Sequence, residues 1–320
     1  MLRPFILTPA FRSGEATPWG GDLLRARYGK NAPPQTGESL EMSVIPGLES
    51  TDGEGAPLSA LIARHGQALT GTEVGDPFPL LLKLIDARDR LSVQVHPDDA
   101  YARVHEGKLG KTEAWVILEA EQGAELVYGV RDNVSRDMLR AACETGSGLG
   151  GLLRRVPVKA GDVFYIPAGM LHAICGGILL YEIQQSSDVT YRFYDWDRTD
   201  AHGKRRELHL RQALDVVRTD LRPELAVSVF LEDATCQREL LLDTPSFRLE
   251  RLLNCEETPF AANPARFSVL TALASGTILL TEEQETISLN PGQTVFIPAQ
   301  CSPFRLHCAH CLVSSPAHTA

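Results

Sequence analysis

No stretch of this 320-residue chain reaches the ~18 consecutive apolar residues that a membrane-spanning helix needs, and none of its composition supplies a surplus of positive charge. Lys and Arg number 31 against 41 Asp and Glu, a formal charge of −10. Neither nucleic acid nor an anionic membrane is therefore expected as a partner, and an anionic ligand would need cations placed locally. Cysteine is scarce and odd in number, with seven residues scattered at 143, 175, 236, 255, 301, 308 and 311, a spacing unlike a disulfide framework. Reduced thiols are expected. The opening MLRPFILTPAFRSG has a short apolar run without a small-residue cleavage site, which makes the cytoplasm the expected compartment. No nucleotide or redox cofactor motif stands out. The group His307-Cys308-Ala309-His310-Cys311 contains metal-ligand types, but structural zinc usually draws on two separated ligand pairs and no second pair follows.

Helical periodicity is also sparse. Apolar residues recur at three- and four-residue spacing in LSALIARHGQAL (58–69), SRDMLRAACE (135–144) and LHLRQALDVVR (208–218), with Ser135 placed as an N-cap. Most of the rest reads as short strands between Gly and Pro turns: EAWVILEA, AELVYGV, RRVPVKAGDVFYI, GILLYEIQQ, TILLTE and QTVFIPA. With 43% hydrophobic residues the chain can bury one large core or two smaller ones. A repeat favours two. Gly161-Asp-Val-Phe-Tyr-Ile-Pro167-Ala-Gly169 aligns with Gly292-Gln-Thr-Val-Phe-Ile-Pro298-Ala-Gln300, with WVILEA preceding the first copy and TILLTE the second. So long a period suggests duplicated barrels, not a solenoid. The link between them is expected near Leu221-Arg-Pro223, giving units 1–222 and 223–320.

Candidate chemistry lies in the first unit. In LSVQVHPDDAYA (91–102), side chains alternate between faces, so Ser92, Gln94 and His96 share one side while Leu91, Val93 and Val95 share the other. Asp98 and Asp99, after a His-Pro, are expected to cap or shape a turn. The repeat continues into His172 in the first copy but into Pro303 in the second, and proline cannot ligate a metal.

The spaced pattern G-x5-P-x-G-x2-H from Gly161 to His172 resembles a motif of the cupin superfamily, a double-sheet jelly-roll barrel that holds a metal at its mouth. QVHPDD, GKTE, YIPAGMLHAI and QQSSDVTYRFYDWDR, in that order, resemble type I mannose-6-phosphate isomerases of the short bacterial kind, as do Pro18-Trp19-Gly20-Gly21, Gly37-Glu38-Ser39 and FPLLLKLIDA. The resemblance covers residues 1–220 well and the remainder in general form. It implies a mainly β protein of two cupin-like barrels with a few peripheral helices, the first catalytic and the second degenerate. It also implies one zinc per chain held by His96, Glu113 and His172, with Gln94 on or near the metal, and Arg192 and Lys111 contacting substrate. Two imidazoles and a carboxylate suit zinc, which keeps an open position when catalytic, although they suit non-haem iron as well. Arg192 could hold a phosphate or stabilise an enediolate. Trp19, Glu38 and Ser39 are expected to line a sugar pocket, and Lys83 and Asp195 are weaker candidates. The implied partner is a small sugar phosphate and the implied reaction aldose–ketose isomerisation through an enediol. A non-catalytic sugar-phosphate-binding or regulatory cupin, or another metal-dependent cupin enzyme, remains the alternative. The oligomeric state is not legible.

Overall fold

The runs rich in β-branched and aromatic residues form strands, joined by glycines in conformations that other residues avoid. The computed structural model describes residues 2–145, 147–200, 202–222, 225–281 and 285–318. Its first twelve strands are β1 (Phe5–Leu7), β2 (Ala10–Ser13), β3 (Thr36–Met42), β4 (Leu80–Ala87), β5 (Val93–Val95), β6 (Glu113–Ala120), β7 (Glu125–Val130), β8 (Leu153–Pro157), β9 (Val163–Ile166), β10 (His172–Ile174), β11 (Ile178–Gln185) and β12 (Tyr191–Tyr194). The remainder are β13 (Val229–Leu231), β14 (Gln237–Asp243), β15 (Phe247–Phe260), β16 (Ser268–Ala272), β17 (Thr277–Thr281), β18 (Thr286–Leu289), β19 (Thr294–Ile297) and β20 (Phe304–Pro316).

The expected duplication is visible in strand order. One sheet runs β2-β3-β4-β11-β6-β9, and the C-terminal sheet repeats it as β13-β14-β15-β20-β16-β19. A second N-terminal sheet, β12-β5-β10-β7-β8, faces the first, and Trp115, Ile117, Leu126, Tyr128, Phe164 and Leu180 fill the space between them. The repeated turn lies before β9 and β19, where Gly161 (φ 94°) and Gly292 (φ 82°) take the left-handed backbone that only glycine adopts freely. The repeat differs from expectation in one respect. The partner of β19 corresponding to β6 is β16, whereas TILLT forms β17 and pairs with β18 and β20. Glu282, which ends that run, and Pro223 of the expected link lie outside the described residues. The chain's first strand does not stay with its own half, because β1 pairs with β19 at the edge of the C-terminal sheet.

Two of the three expected helices are shorter than the periodicity suggests. Residues 58–69 divide into Leu58–His65 and Gln67–Thr70 around Gly66 (φ 53°), and 208–218 contracts to Leu210–Val216. Ser135 accepts a hydrogen bond from Met138 N at the start of Arg136–Thr145. Asp98 does the same for Tyr101 N at Asp99–His105. Asp99 accepts from Gly110 N. Both aspartates therefore shape the turn, as expected. No helix among the described residues is long and apolar enough to cross a membrane. The cysteines depart from expectation, since Cys236, just before β14, and Cys255 of β15 are joined as a disulfide. In the 307–311 group, Cys308 and Cys311 pack among Leu252, Leu306 and Val313 while His307 is exposed, so the strand separates these side chains.

The two units share one apolar layer in which Leu82 and Tyr181 meet Phe247, Leu249, Phe296 and Leu312. Four phenylalanines stack through it, with ring centroids 5.3 Å apart for Phe5–Phe296, 4.9 Å for Phe296–Phe267 and 5.0 Å for Phe267–Phe78. Tyr181 and Ser314 hydroxyls are hydrogen-bonded across the same layer at 2.8 Å. Removing a fully buried ring costs about 3–5 kcal/mol. Phe296→Ala should therefore lower stability by that order in chemical denaturation, and both units should lose structure in a single transition. A loss below about 1 kcal/mol would show that the stack is not a structural joint.

Candidate active site and metal centre

Strand register assembles the site. His172 on β10 and Arg192 on β12 both pair with Gln94 on the intervening β5, so three polar side chains form one row across three adjacent strands. Val93 and Val95 point the other way into a core with Leu171, Tyr191 and Phe193. The polar face does not look at bulk water: Ser92 and His96 are buried and Gln94 nearly so. Across the barrel, Glu113 opens β6 opposite Gln184 and Ile166. Lys111 lies just before that strand, anchored by its backbone N–H to Pro97 O at 2.9 Å.

His96, Glu113 and His172 come together, with one potential ligand atom from each within 4.8 Å of the others. All three are buried. The Glu113 oxygens stand 3.5 Å from His96 Nε2 and 3.1 Å from His172 Nε2. His96 Nδ1 lies 2.9 Å from Val189 O, and His172 Nδ1 lies 2.9 Å from Met170 O. A carbonyl only accepts, so each imidazole donates from Nδ1 and, when neutral, directs the lone pair of Nε2 inward. That backbone support is how metal-binding histidines are commonly oriented. Gln94 Nε2 lies 3.3 Å from His172 Nε2, and the same amide turned about its axis would present oxygen.

Lys111 Nζ is 2.8 Å from Glu113 and 3.1 Å from His96 Nε2. Burial, followed by Lys111, holds the His96 imidazole well below its ordinary range, which keeps it neutral. Burial alone would raise the Glu113 carboxyl, but Lys111 and then the two histidines outweigh it and hold it well below the usual carboxylate range. Both Glu113 oxygens are nevertheless buried without a hydrogen-bond donor in satisfactory geometry. Two imidazoles whose Nε2 atoms face inward and an ionised carboxylate, converging in one buried place, fit a divalent metal.

Beside this cluster is a pocket of about 270 Å³. Its walls carry five cationic side chains, Arg12, Lys83, Lys111, Arg192 and Arg206, against the acids Glu38, Glu182 and Asp188. In a chain of charge −10 this is the local cation excess that an anionic ligand requires. Arg192 donates from Nη1 to Glu207 O at 2.8 Å, while its buried Nε has no partner among the described residues. Lys83 pairs with Glu182 at 3.0 Å, and Trp115 Nε1 donates to Glu182 at 2.8 Å. Burial opposes charge on both Lys83 and Glu38, yet Glu182 and Glu38 raise the lysine above its usual value, and Lys83 and Arg12 lower Glu38. Both are ionised.

Trp19 and Glu38 line the pocket, but Ser39 does not. Ser39 is on the opposite face of β3, donating to Glu41 at 2.6 Å. Asp195 is taken up by Arg206, which donates to its two oxygens at 2.7 and 2.6 Å. Arg12, Arg206 and Glu182 were not marked by the sequence reading. Glu182 carried a usable signal, a lone charge inside the apolar run ILLYEIQQ, as did Lys83 inside FPLLLKLIDA. The arginines carried none.

Residues 13–126 match the family model described as "Phosphomannose isomerase type I, catalytic domain". A mannose-6-phosphate isomerase of Streptococcus mutans is 44% identical over 234 residues, 72% of this chain and 73% of its own length. A putative mannose-6-phosphate isomerase of Bacillus subtilis is 36% identical over 95% of each chain. A crystal structure of the mannose 6-phosphate isomerase from Bacillus subtilis superposes with a TM-score of 0.89 at 32% identity, over 99% of this chain and 100% of that one.

If the cluster is a metal centre, His172→Ala should reduce divalent metal retained after dialysis from about one ion per chain to a small fraction, because three protein ligands are the usual minimum for such a site. Circular dichroism should stay unchanged. Retention equal to the parent protein would show that the ion sits elsewhere.

Proposed function

The chain belongs to the type I phosphomannose isomerase family, and on that footing we propose that it interconverts mannose 6-phosphate and fructose 6-phosphate with one zinc ion held by His96, Glu113 and His172. The supporting observation is the junction of a buried His/Glu/His cluster with a cation-walled pocket large enough for a hexose phosphate. In the forward direction the C2–H bond breaks, its electron pair forms the C1–C2 double bond of an enediol, and a proton is added at C1. The aldehyde becomes a hydroxyl as the C2 hydroxyl becomes a carbonyl, so no outside oxidant or reductant is needed. Zinc at this site would supply Lewis acidity, making the C–H between two oxygen-bearing carbons more acidic.

The chain's own groups do the remaining work. Gln94, in register with both His172 and Arg192, sits between the cluster and the guanidinium and can orient or ligate through its amide oxygen. Arg192 lines the pocket and offers its guanidinium to charge developing on substrate oxygen, or to the phosphate. Lys111, within 3.1 Å of His96 Nε2, places a second positive charge at the same end of the pocket. The Lys83–Glu182 pair and Trp19 also line the pocket. We also propose that residues 1–222 form the catalytic cupin unit and 223–320 a degenerate one without a metal, since Pro303 stands where His172 would be. The reading includes a cytoplasmic location, a sugar phosphate as the small-molecule partner, and no nucleic-acid or membrane partner.

Turnover of mannose 6-phosphate should stop on chelation and return with zinc, and elemental analysis should find zinc in preference to iron. Free mannose should be converted far more slowly, and reaction in heavy water should leave some deuterium at C1 or C2. Equal rates on mannose and its phosphate would defeat the assignment, while no turnover from zinc-loaded protein would favour a binding module. Arg192→Lys keeps the charge and removes the planar fork, so kcat should fall more than about tenfold, or over ~1.4 kcal/mol, at unchanged zinc content. Parent-like kinetics would remove Arg192 from the machinery.

A further inference from the structure

The register that builds the first site can be followed into the second unit. Glu113 pairs with Ile166 on β9, and Ser268 pairs with Ile297 on β19. Ile166 and Ile297 occupy the same place in the sequence repeat, so Ser268 stands where Glu113 stands. Likewise Leu81 opposite Gln184 becomes Arg248 opposite Ser315, and Lys83 opposite Glu182 becomes Glu250 opposite Val313. The Glu113 carboxylate has given way to the Ser268 hydroxyl and the Leu81 position to the Arg248 guanidinium, but the mouth of the barrel remains open. Arg238, Arg248, Glu250, Arg266, Ser268 and Ser315 line a cavity there of about 320 Å³.

The cavity holds three guanidinium groups and one carboxylate. Arg238 Nε and Arg248 Nε both donate to Glu250, at 2.5 and 2.6 Å. Arg248 also reaches Asp243 at 2.7 Å, and Arg266 Nη2 donates to Glu73 at 2.8 Å. These acids leave the cluster near neutrality, so an occupant would be selected by directed donors more than by a broad field. Arg266 is decisive. It is only 5% exposed, and its Nε and Nη1 have no hydrogen-bond partner among the described residues. A buried guanidinium with two donors idle among the described residues is costly unless a further group accepts from them. The acceptors that guanidinium groups match best are carboxylate and phosphate oxygens. We propose that the mouth of the C-terminal barrel is a second binding site, without a metal, for the phosphate group of a small anion. Free phosphate and a sugar phosphate share that chemistry.

Equilibrium dialysis of the full chain against radiolabelled inorganic phosphate, and separately against labelled fructose 6-phosphate, tests this. Arg266→Gln should bind one fewer equivalent than the parent protein in at least one series. The series that changes identifies free phosphate or its ester as the occupant. Arg238→Gln, whose side chain is 42% exposed and poses little risk to folding, should weaken the same binding by more than about tenfold. Mannose 6-phosphate turnover without added phosphate should be unaltered in both. The criterion is a difference between variants, so it is independent of whether the first pocket binds a hexose phosphate. Equal stoichiometry and affinity in the parent protein and both variants would overturn the proposal.

Discussion

Glu113 is an ionised carboxylate with no exposed surface, and an ion in that position is tolerated only when its surroundings are built for it. Its surroundings are the site. Lys111 supplies the opposing charge, and two imidazoles present nitrogen at 3.1 and 3.5 Å. Two backbone carbonyls keep those imidazoles turned inward. Each support comes from a different segment, Lys111 from the loop before β6, Val189 from the approach to β12 and Met170 from the turn before β10. The barrel must therefore close before the carboxylate is stable. Removing one partner of a buried charge typically costs about 3–5 kcal/mol, so the metal-binding geometry and the closed barrel reinforce one another.

The part of this site that could be read from sequence is the part carried by short local patterns. Alternation put Gln94 and His96 on one strand face, while Glu113 in GKTE and His172 after its Gly- and Pro-marked turn were picked out by the resemblance of those short motifs to a known family. The cationic wall was not visible. Arg12 comes from β2 and Arg206 from beyond β12, segments hundreds of possible pairings apart whose meeting depends on how the sheets close. Glu38 and Ser39 show the limit within one strand: a pattern can mark both neighbours, but the period of two admits only one to the pocket.

The second unit was legible as a repeat of turns and less so as a repeat of strands. TILLTE has the composition of WVILEA, yet pairing assigns that position to SVLTA in β16, because register depends on partners and composition does not record them. The Cys236–Cys255 bond was missed for the same reason. Odd cysteine number argues against a framework of bridges but says nothing about two thiols brought together by the fold.

The placement of β1 alters the order in which the chain can be completed. Residues 5–7 are synthesised long before their partners, 294–296. A nascent chain can close its first barrel early, but its leading strand must wait unpaired through most of synthesis. Until it docks, the outer edge of β19 also presents unused backbone donors and acceptors, the feature by which unfinished sheets recruit neighbouring chains. Strand β1 thus acts as the final seal on β19, and blocking it would turn a solubility problem loose in a part of the molecule nearly three hundred residues away.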